Sequence, residues 1–246
     1  MISSIILIPY LGEKSKFASF ITPNIPKDIS TYVEPFGGMF GVFFSLDFSK
    51  FKDIKFVYND INYLNYNLFY LLRYDRRFIE IVKSISVDKD YYEKAIKEIF
   101  TETDDMTKAI NWLITLTCSA PNSIGKDSWR GDTEFEVFKL KWKAYEPHIM
   151  KISEILNEDY KEVIQKYDSE STFFYLDPPY MGREKYYINH EFDKETHYEL
   201  ASVLNNIKGR FALSYYYFDG IEDLYPNCRF EQKKTIMGTE WLIMNY

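Results

Sequence analysis

Phe173-Phe174-Tyr175-Leu176-Asp177-Pro178-Pro179-Tyr180 decides the reading of this chain: an apolar, β-favouring run that ends on an acid, two prolines and an aromatic ring. Proline lacks the N–H that a ladder needs, so the strand stops there and leaves the Asp177 carboxylate at its carboxyl end. The tip then offers an anionic acceptor, a backbone carbonyl held in place by proline, and a flat ring. Those are the parts needed to hold an amino group conjugated to a planar base.

Upstream, Thr31-Tyr32-Val33-Glu34 reads as a strand that breaks at Pro35-Phe36-Gly37-Gly38, and Met39 to Leu46 reads as a helix. This is the strand, glycine turn, helix order of a nucleotide-binding α/β unit. Taken alone, a glycine turn is as readily a tight connection. The spacing through Gly41 departs from G-x-G-x-x-G, and Phe36 would crowd a pyrophosphate while offering an apolar wall. The next strand, Lys55-Phe56-Val57-Tyr58, ends at Asn59-Asp60. A carboxylate there can accept hydrogen bonds from both hydroxyls of a ribose, although a solvated loop Asp is the plain alternative. Together Gly37 and Asp60, at the ends of consecutive strands, imply an adenosine-bearing cofactor and not a dinucleotide.

Elsewhere the pattern is helical over 12–21 and 61–72, then over 78–85, 91–100, 109–118 and 135–145, with a polar, glycine-bearing break at Ser119-Ala120-Pro121-Asn122-Ser123-Ile124-Gly125. Strand signals return at 172–176, 210–215, 228–236 and 240–246, the last two as a β-hairpin, with a helix over 194–207. The helical stretch 75–147 therefore reads as an insertion between the two parts of an α/β domain, 1–74 and 148–246.

With 246 residues, 46% of them hydrophobic, the chain can bury a sizeable core. No run approaches the roughly 18 apolar residues of a membrane span, and Met1–Pro9 lacks the basic start and cleavage site of a signal peptide. A cytoplasmic protein with no membrane partner is expected, in a bacterial cell or a virus-infected host cell. Cys118 and Cys228 lie far apart without C-x-x-C spacing, and His148 and His190 show no ligand spacing, so two reduced thiols and no metal are expected. The net charge of −7 opposes nucleic-acid binding unless one face is basic. Residues 88–105 hold seven acids against three lysines, whereas Arg73, Arg76, Arg77 and Lys83 outnumber the acids of 71–84.

With these parts assembled, the chain resembles the Dam-like, D-P-P-Y or alpha-group DNA adenine methyltransferases, which use S-adenosylmethionine. Pro9-Tyr10-Leu11-Gly12-Glu13-Lys14 resembles the group's amino-terminal segment, Val33-Glu34-Pro35-Phe36-Gly37-Gly38 its cofactor loop, and Asn59-Asp60-Ile61-Asn62 its ribose-binding acid. Asn157-Glu158-Asp159-Tyr160 resembles the segment whose ring packs on the cofactor's adenine. Tyr187, Phe192 and His197 fit the pattern that follows D-P-P-Y, with His197 read as structural, and 240–246 resembles the closing strand.

The resemblance implies a Rossmann-like methyltransferase sheet with helices on both faces, a C-terminal β-hairpin, and residues 75–147 as an inserted helical target-recognition domain. It implies Tyr10, Lys14, Glu34, Phe36, Gly37, Gly38, Asp60, Tyr160 and Asp177 as cofactor contacts, and Asp177, Pro178, Pro179 and Tyr180 as the catalytic segment. Core aromatics and a surface lysine are the plain alternatives for Tyr10, Phe36, Tyr160 and Lys14. In the DNA-touching loop the group commonly carries Asn-Gly followed by Arg. Here Asn122-Ser123-Ile124-Gly125 is followed, after a gap, by Trp129-Arg130-Gly131. Asn122 and Arg130 would read base edges and phosphates and Trp129 would stack, against the alternative of a solvated loop with an anchoring Trp.

The implied partner is double-stranded DNA, bound by a monomer or weak dimer, with room for a cognate restriction endonuclease. The implied reaction flips adenine out of the duplex and methylates its 6-amino group directly. Asp177 and the Pro178 carbonyl would accept the two amino hydrogens while Tyr180 stacks on the ring. Cytosine 5-carbon chemistry would need a Pro-Cys arrangement, which Cys118-Ser119-Ala120-Pro121 reverses. Two alternatives stay open: a methyltransferase of RNA or of a protein glutamine amide, where Asn usually replaces the Asp, and a silent nucleic-acid-binding homologue. A dinucleotide oxidoreductase lacks its glycine spacing.

Overall fold

The computed structural model describes residues 8, 15–120, 123, 125–181, 192–235 and 238–246. In chain order the elements begin α1 (Ser15–Ile21), β1 (Thr31–Glu34), β2 (Lys55–Asn59), α2 (Tyr63–Tyr74), α3 (Arg76–Ser84), α4 (Lys89–Glu98), α5 (Asp105–Cys118) and α6 (Thr133–Ile149). They continue with β3 (Ile152–Leu156), α7 (Tyr160–Tyr167), β4 (Thr172–Leu176), α8 (Lys194–Leu204), β5 (Arg210–Tyr216), α9 (Ile221–Leu224), β6 (Arg229–Thr235) and β7 (Gly238–Met244). The chain divides into two compact units. One comprises Ser19–Gly37, Asp47–Asn62 and Leu156–Tyr246; the other comprises Gly38–Leu46 and Tyr63–Ile155 with the chain's first segment to Ala18.

The strands form one seven-stranded sheet in the order β3-β2-β1-β4-β5-β7-β6. β1 runs parallel to β2 and β4, and β4 parallel to β5, whereas β7 is antiparallel to both β5 and β6. The strand order reverses between β1 and β4. In an open α/β sheet this is where ligands bind, outside the carboxyl ends of the strands. Tyr32 stands level with Phe56 and with Phe173, and its ring lies 5.8 Å from each, so an aromatic ladder crosses the three central strands and pins their register. Toward the helices, Val33, Val57, Phe174 and Leu213 share a buried core with Val163 and Ile164 of α7 and Leu200 and Leu204 of α8. This is the expected Rossmann-like sheet flanked by helices and closed by a hairpin.

In the helical unit α5 is buried along most of its length, from Ala109 to Cys118, as a helix must be when it is apolar on nearly every face. It packs against α2, α4 and α6, and Trp112 Nε1 donates to Asn65 Oδ1 at 2.9 Å. The acids of this region have structural work: Asp75, Asp88 and Asp104 cap α3, α4 and α5, each carboxylate accepting a first-turn N–H at 2.8–3.0 Å. No helix among the described residues is long and apolar enough to cross a membrane.

Three local expectations are corrected. The helix expected over Met39 to Leu46 is a series of turns with one short 3₁₀ segment, Phe43–Ser45. Gly38 and Phe40 have φ of 50° and 57°, which a right-handed helix cannot propagate, and Phe40 is fixed there by stacking on Phe43 at 4.2 Å. β3 and α7 form where periodicity gave no signal. Ile152-Ser153-Glu154-Ile155-Leu156 breaks its apolar pattern with an exposed Ser153 and a half-buried Glu154, and α7 has only eight residues. Finally, α8 ends at Leu204, three residues short of the expected Ile207.

Replacing Asp104 by Ala should lower stability by roughly 1 kcal/mol in chemical denaturation near neutral pH. The Thr107 hydroxyl and N–H hold the Asp104 carboxyl below the usual carboxylate range. A depressed folded value stabilises above the ordinary value of about 4 and is lost as pH falls through the folded one, so the wild-type advantage should shrink below about pH 4.

Candidate active site

At the reversal point, the segments leaving β1 and β4 lie side by side, because Val33 is level with Phe174 in the ladder. The β1 exit is built around Gly37. Its N–H donates to the Asn59 carbonyl at 2.7 Å, and a Cβ on it would lie 2.4 Å from Tyr58 Cε2 and 2.9 Å from Asn59 O. No side chain fits, so this glycine serves a close approach between the ends of β1 and β2. Glu34, buried at the end of β1, accepts from the Tyr32 hydroxyl at 2.6 Å. Burial and the Glu34 carboxylate push Tyr32 far above the usual phenol range, so it stays a donor.

Asn59 was named only as Asp60's neighbour in the sequence, yet it holds this end of the sheet together. Fully buried, it donates from Nδ2 to Pro35 O at 2.9 Å and to Glu158 O at 3.0 Å, and its Oδ1 accepts from the Glu158 N–H at 2.9 Å. A carboxamide closing an apolar strand was its signal. Asp60 follows, largely buried, with Oδ1 accepting from Asn62 N at 2.8 Å and its main chain held by the Asn157 side chain and the Leu156 carbonyl.

Phe36 and Tyr160 come together, ring centroids 5.1 Å apart and inclined by 32°. Phe192 joins them at 5.7 Å and 6.1 Å, a third wall. The Tyr160 hydroxyl is buried and has no hydrogen-bond partner among the described residues. Burial, with the Asp159 and Glu199 carboxylates, raises it and keeps it protonated. An apolar aromatic corner with one unspent polar group fits a purine ring that brings its own acceptor edge. The residues present therefore suit an adenosine-bearing cofactor.

At the end of β4, Asp177 is partly exposed and Pro178 buried. The Tyr180 hydroxyl lies 3.0 Å from Asp177 Oδ1 and 3.1 Å from Glu240 Oε1, and its ring meets those of Tyr215 and Tyr216 at 5.4 Å and 4.7 Å. Tyr175, below Asp177 in the strand, donates to or accepts from Ser214 at 2.8 Å. Burial, then the carboxylates of Asp177, Glu240 and Glu34, drive its hydroxyl far above the usual range, so it stays protonated. His197 is buried and hydrogen-bonded to the Tyr215 hydroxyl. The Cys118 thiol is buried and pushed up to about 11, unsuited to nucleophilic work.

In the helical unit, the Trp129 ring lies 5.1 Å from that of Tyr92, tilted by 49°, and the Tyr92 hydroxyl also meets Ser119 and the Gly125 carbonyl at the neck of the loop. Arg130 is exposed and 3.5 Å from Glu134. Gly38 belongs to this unit as well. Tyr10, Lys14, Asn122, Tyr187 and His190 lie outside the described residues.

A reversal point carrying an acid, two prolines and a tyrosine beside an aromatic, purine-fitting corner defines a base-directed transferase. Residues 10–239 match the model of the D12 class N6 adenine-specific DNA methyltransferases, and the chain belongs to that family. Among similar proteins are the Type II methyltransferase M.MjaIII of Methanocaldococcus jannaschii, 26% identical with 97% of this chain and 98% of the relative covered, and the Type II methyltransferase M.CviBI of Paramecium bursaria Chlorella virus NC1A, 24% identical with 89% and 85% covered. The family decides for DNA adenine over the RNA and glutamine readings.

Gly37→Ala should cost roughly 1–3 kcal/mol, because the added methyl must displace the Tyr58 ring or part the two strand ends. Thermal unfolding of the variant checks this.

Proposed function

We propose that this methyltransferase takes its methyl group from S-adenosylmethionine and that Asp177, Pro178, Pro179 and Tyr180 hold the flipped adenine. The observation that carries this reading is the position of the Asp177 carboxylate: it ends β4 beside the β1 exit, whose Phe36 forms the aromatic corner with Tyr160. When bound, the cofactor supplies an electrophilic sulfonium methyl. Phe36, Tyr160 and Phe192 would enclose its adenine, and Asp60, with Glu34 and the Gly37 turn nearby in the sheet, would take its ribose. Tyr10, Lys14 and Gly38 are assigned to the same task on the family resemblance.

The adenine amino lone pair is delocalised into the ring and reacts poorly. With the two amino hydrogens accepted by the Asp177 carboxylate and the Pro178 carbonyl, the nitrogen is fixed in direction and the charge that develops on it is offset by a nearby anion. No covalent link to the protein is needed.

Radiolabelled methyl transfer into unmethylated duplex DNA should fall at least about 100-fold in Asp177→Ala. S-adenosylmethionine should still raise the melting temperature of that variant, and should do so much less in Tyr160→Ala. Full activity in Asp177→Ala would reject the assignment.

Residues 75–147 are proposed as the target-recognition part, with Asn122, Trp129 and Arg130 facing DNA. What supports this is that Tyr92 ties Ser119 to the Gly125 carbonyl across the neck of the loop, while among the described residues the Arg130 guanidinium has one long, exposed ion pair to exchange for a phosphate. Arg130→Ala should weaken DNA binding and reduce the slope of log affinity against log salt by about 1. An unchanged slope would remove Arg130 from the interface. The methylation would also protect a plasmid from an endonuclease of the same specificity.

A further inference from the structure

The Tyr180 hydroxyl has one hydrogen and two carboxyl oxygens in reach, Asp177 Oδ1 at 3.0 Å and Glu240 Oε1 at 3.1 Å. Glu240 is a buried acid near the head of β7, 3% exposed, opposite Tyr216 in the ladder. Tyr216 in turn meets the Tyr180 ring at 75°. The antiparallel hairpin and β5 thus grip the aromatic of the D-P-P-Y turn from the side away from β1. An acid buried in a strand whose later residues are apolar has a desolvation cost that the fold must offset.

We propose that Glu240 is a positioning residue for methyl transfer: by sharing the Tyr180 hydroxyl it limits how strongly that donor draws on Asp177, so that Asp177 stays a strong acceptor for the adenine amino hydrogen. This rests on the role given to Asp177 above. Without Glu240, the hydroxyl leans on Asp177 Oδ1, and the carboxylate meets the amino group as a weaker and turned acceptor. A hydrogen bond to a charged acceptor is among the stronger ones, so the shift is felt in the rate of transfer. Removing the hydroxyl as well removes the competitor.

The test is the single-turnover rate of methyl transfer into unmethylated plasmid DNA at saturating S-adenosylmethionine, for wild type, Asp177→Ala, Glu240→Leu, Glu240→Gln, Tyr180→Phe and the double variant Glu240→Leu/Tyr180→Phe. Glu240→Leu should slow transfer about 10-fold or more while the KM for S-adenosylmethionine stays within about twofold. Glu240→Gln, which keeps an acceptor for the phenol, should stay within about threefold of wild type. Adding Tyr180→Phe to Glu240→Leu should restore rate, not multiply the loss.

A merely structural Glu240 gives the opposite pattern, with losses that multiply, and that result overturns the proposal. So does a Glu240→Leu rate within about twofold of wild type. Should Glu240→Leu fail to fold, Glu240→Gln and the double variant decide: a Gln variant slower than about 10-fold below wild type, or a folded double variant with no detectable transfer, overturns it. Wild type active, Asp177→Ala inactive and Glu240→Leu unaffected overturns this inference alone. Asp177→Ala as active as wild type overturns the reading beneath it.

Discussion

The buried carboxamide of Asn59 is the interaction on which the carboxyl end of this sheet depends. Three strand exits must converge there, and each brings backbone groups that no ladder can satisfy. One side chain serves two of those exits, through Pro35 after β1 and both polar groups of Glu158 after β3, while its own carbonyl accepts from Gly37. A network in which every member is paired stiffens its surroundings, and a half-satisfied one would be worse than an apolar contact. Phe36 on one exit and Tyr160 just beyond another are therefore set opposite each other by a group that makes no ring contact with either. The aromatic corner is a consequence of the clamp.

How much of this was legible in the sequence depends on whether a residue's partner is local. The D-P-P-Y turn announces itself, since proline stops the ladder wherever it stands, and β4 occupies the residues expected of it, 172–176. The Gly37 turn is legible for the same reason, although the close contact with Tyr58 that demands glycine is not. The helix expected after it fails because a positive φ at Phe40 is imposed by aromatic packing. Periodicity alone cannot see that override. Asn59, Glu240 and Phe192 are each named in a motif, but their roles as clamp, phenol partner and third ring are not legible there, because the partners stand 99, 60 and 156 residues away in sequence.

The charge of the chain is also better understood by position than by sum. The net −7 counts as an objection to DNA only if the acids face the DNA. Several are consumed by capping, as with Asp75, Asp88 and Asp104 in the helical unit and Asp159 and Asp193 ahead of α7 and α8. Those carboxylates sit on helix N-termini, where the partial positive charge of the backbone already offsets them. Others, Glu34, Asp177 and Glu240, are gathered at the carboxyl end of the sheet. There, negative charge suits a reaction that places positive charge on a base nitrogen.

That concentration raises its own difficulty, because three carboxylates near one strand end repel each other and bind protons or donors to compensate. The structure answers with tyrosines. Tyr32 serves Glu34, Tyr180 stands between Asp177 and Glu240, and Tyr175, kept protonated by those same acids, turns to Ser214. A phenol supplies one directed hydrogen and leaves the net charge in place.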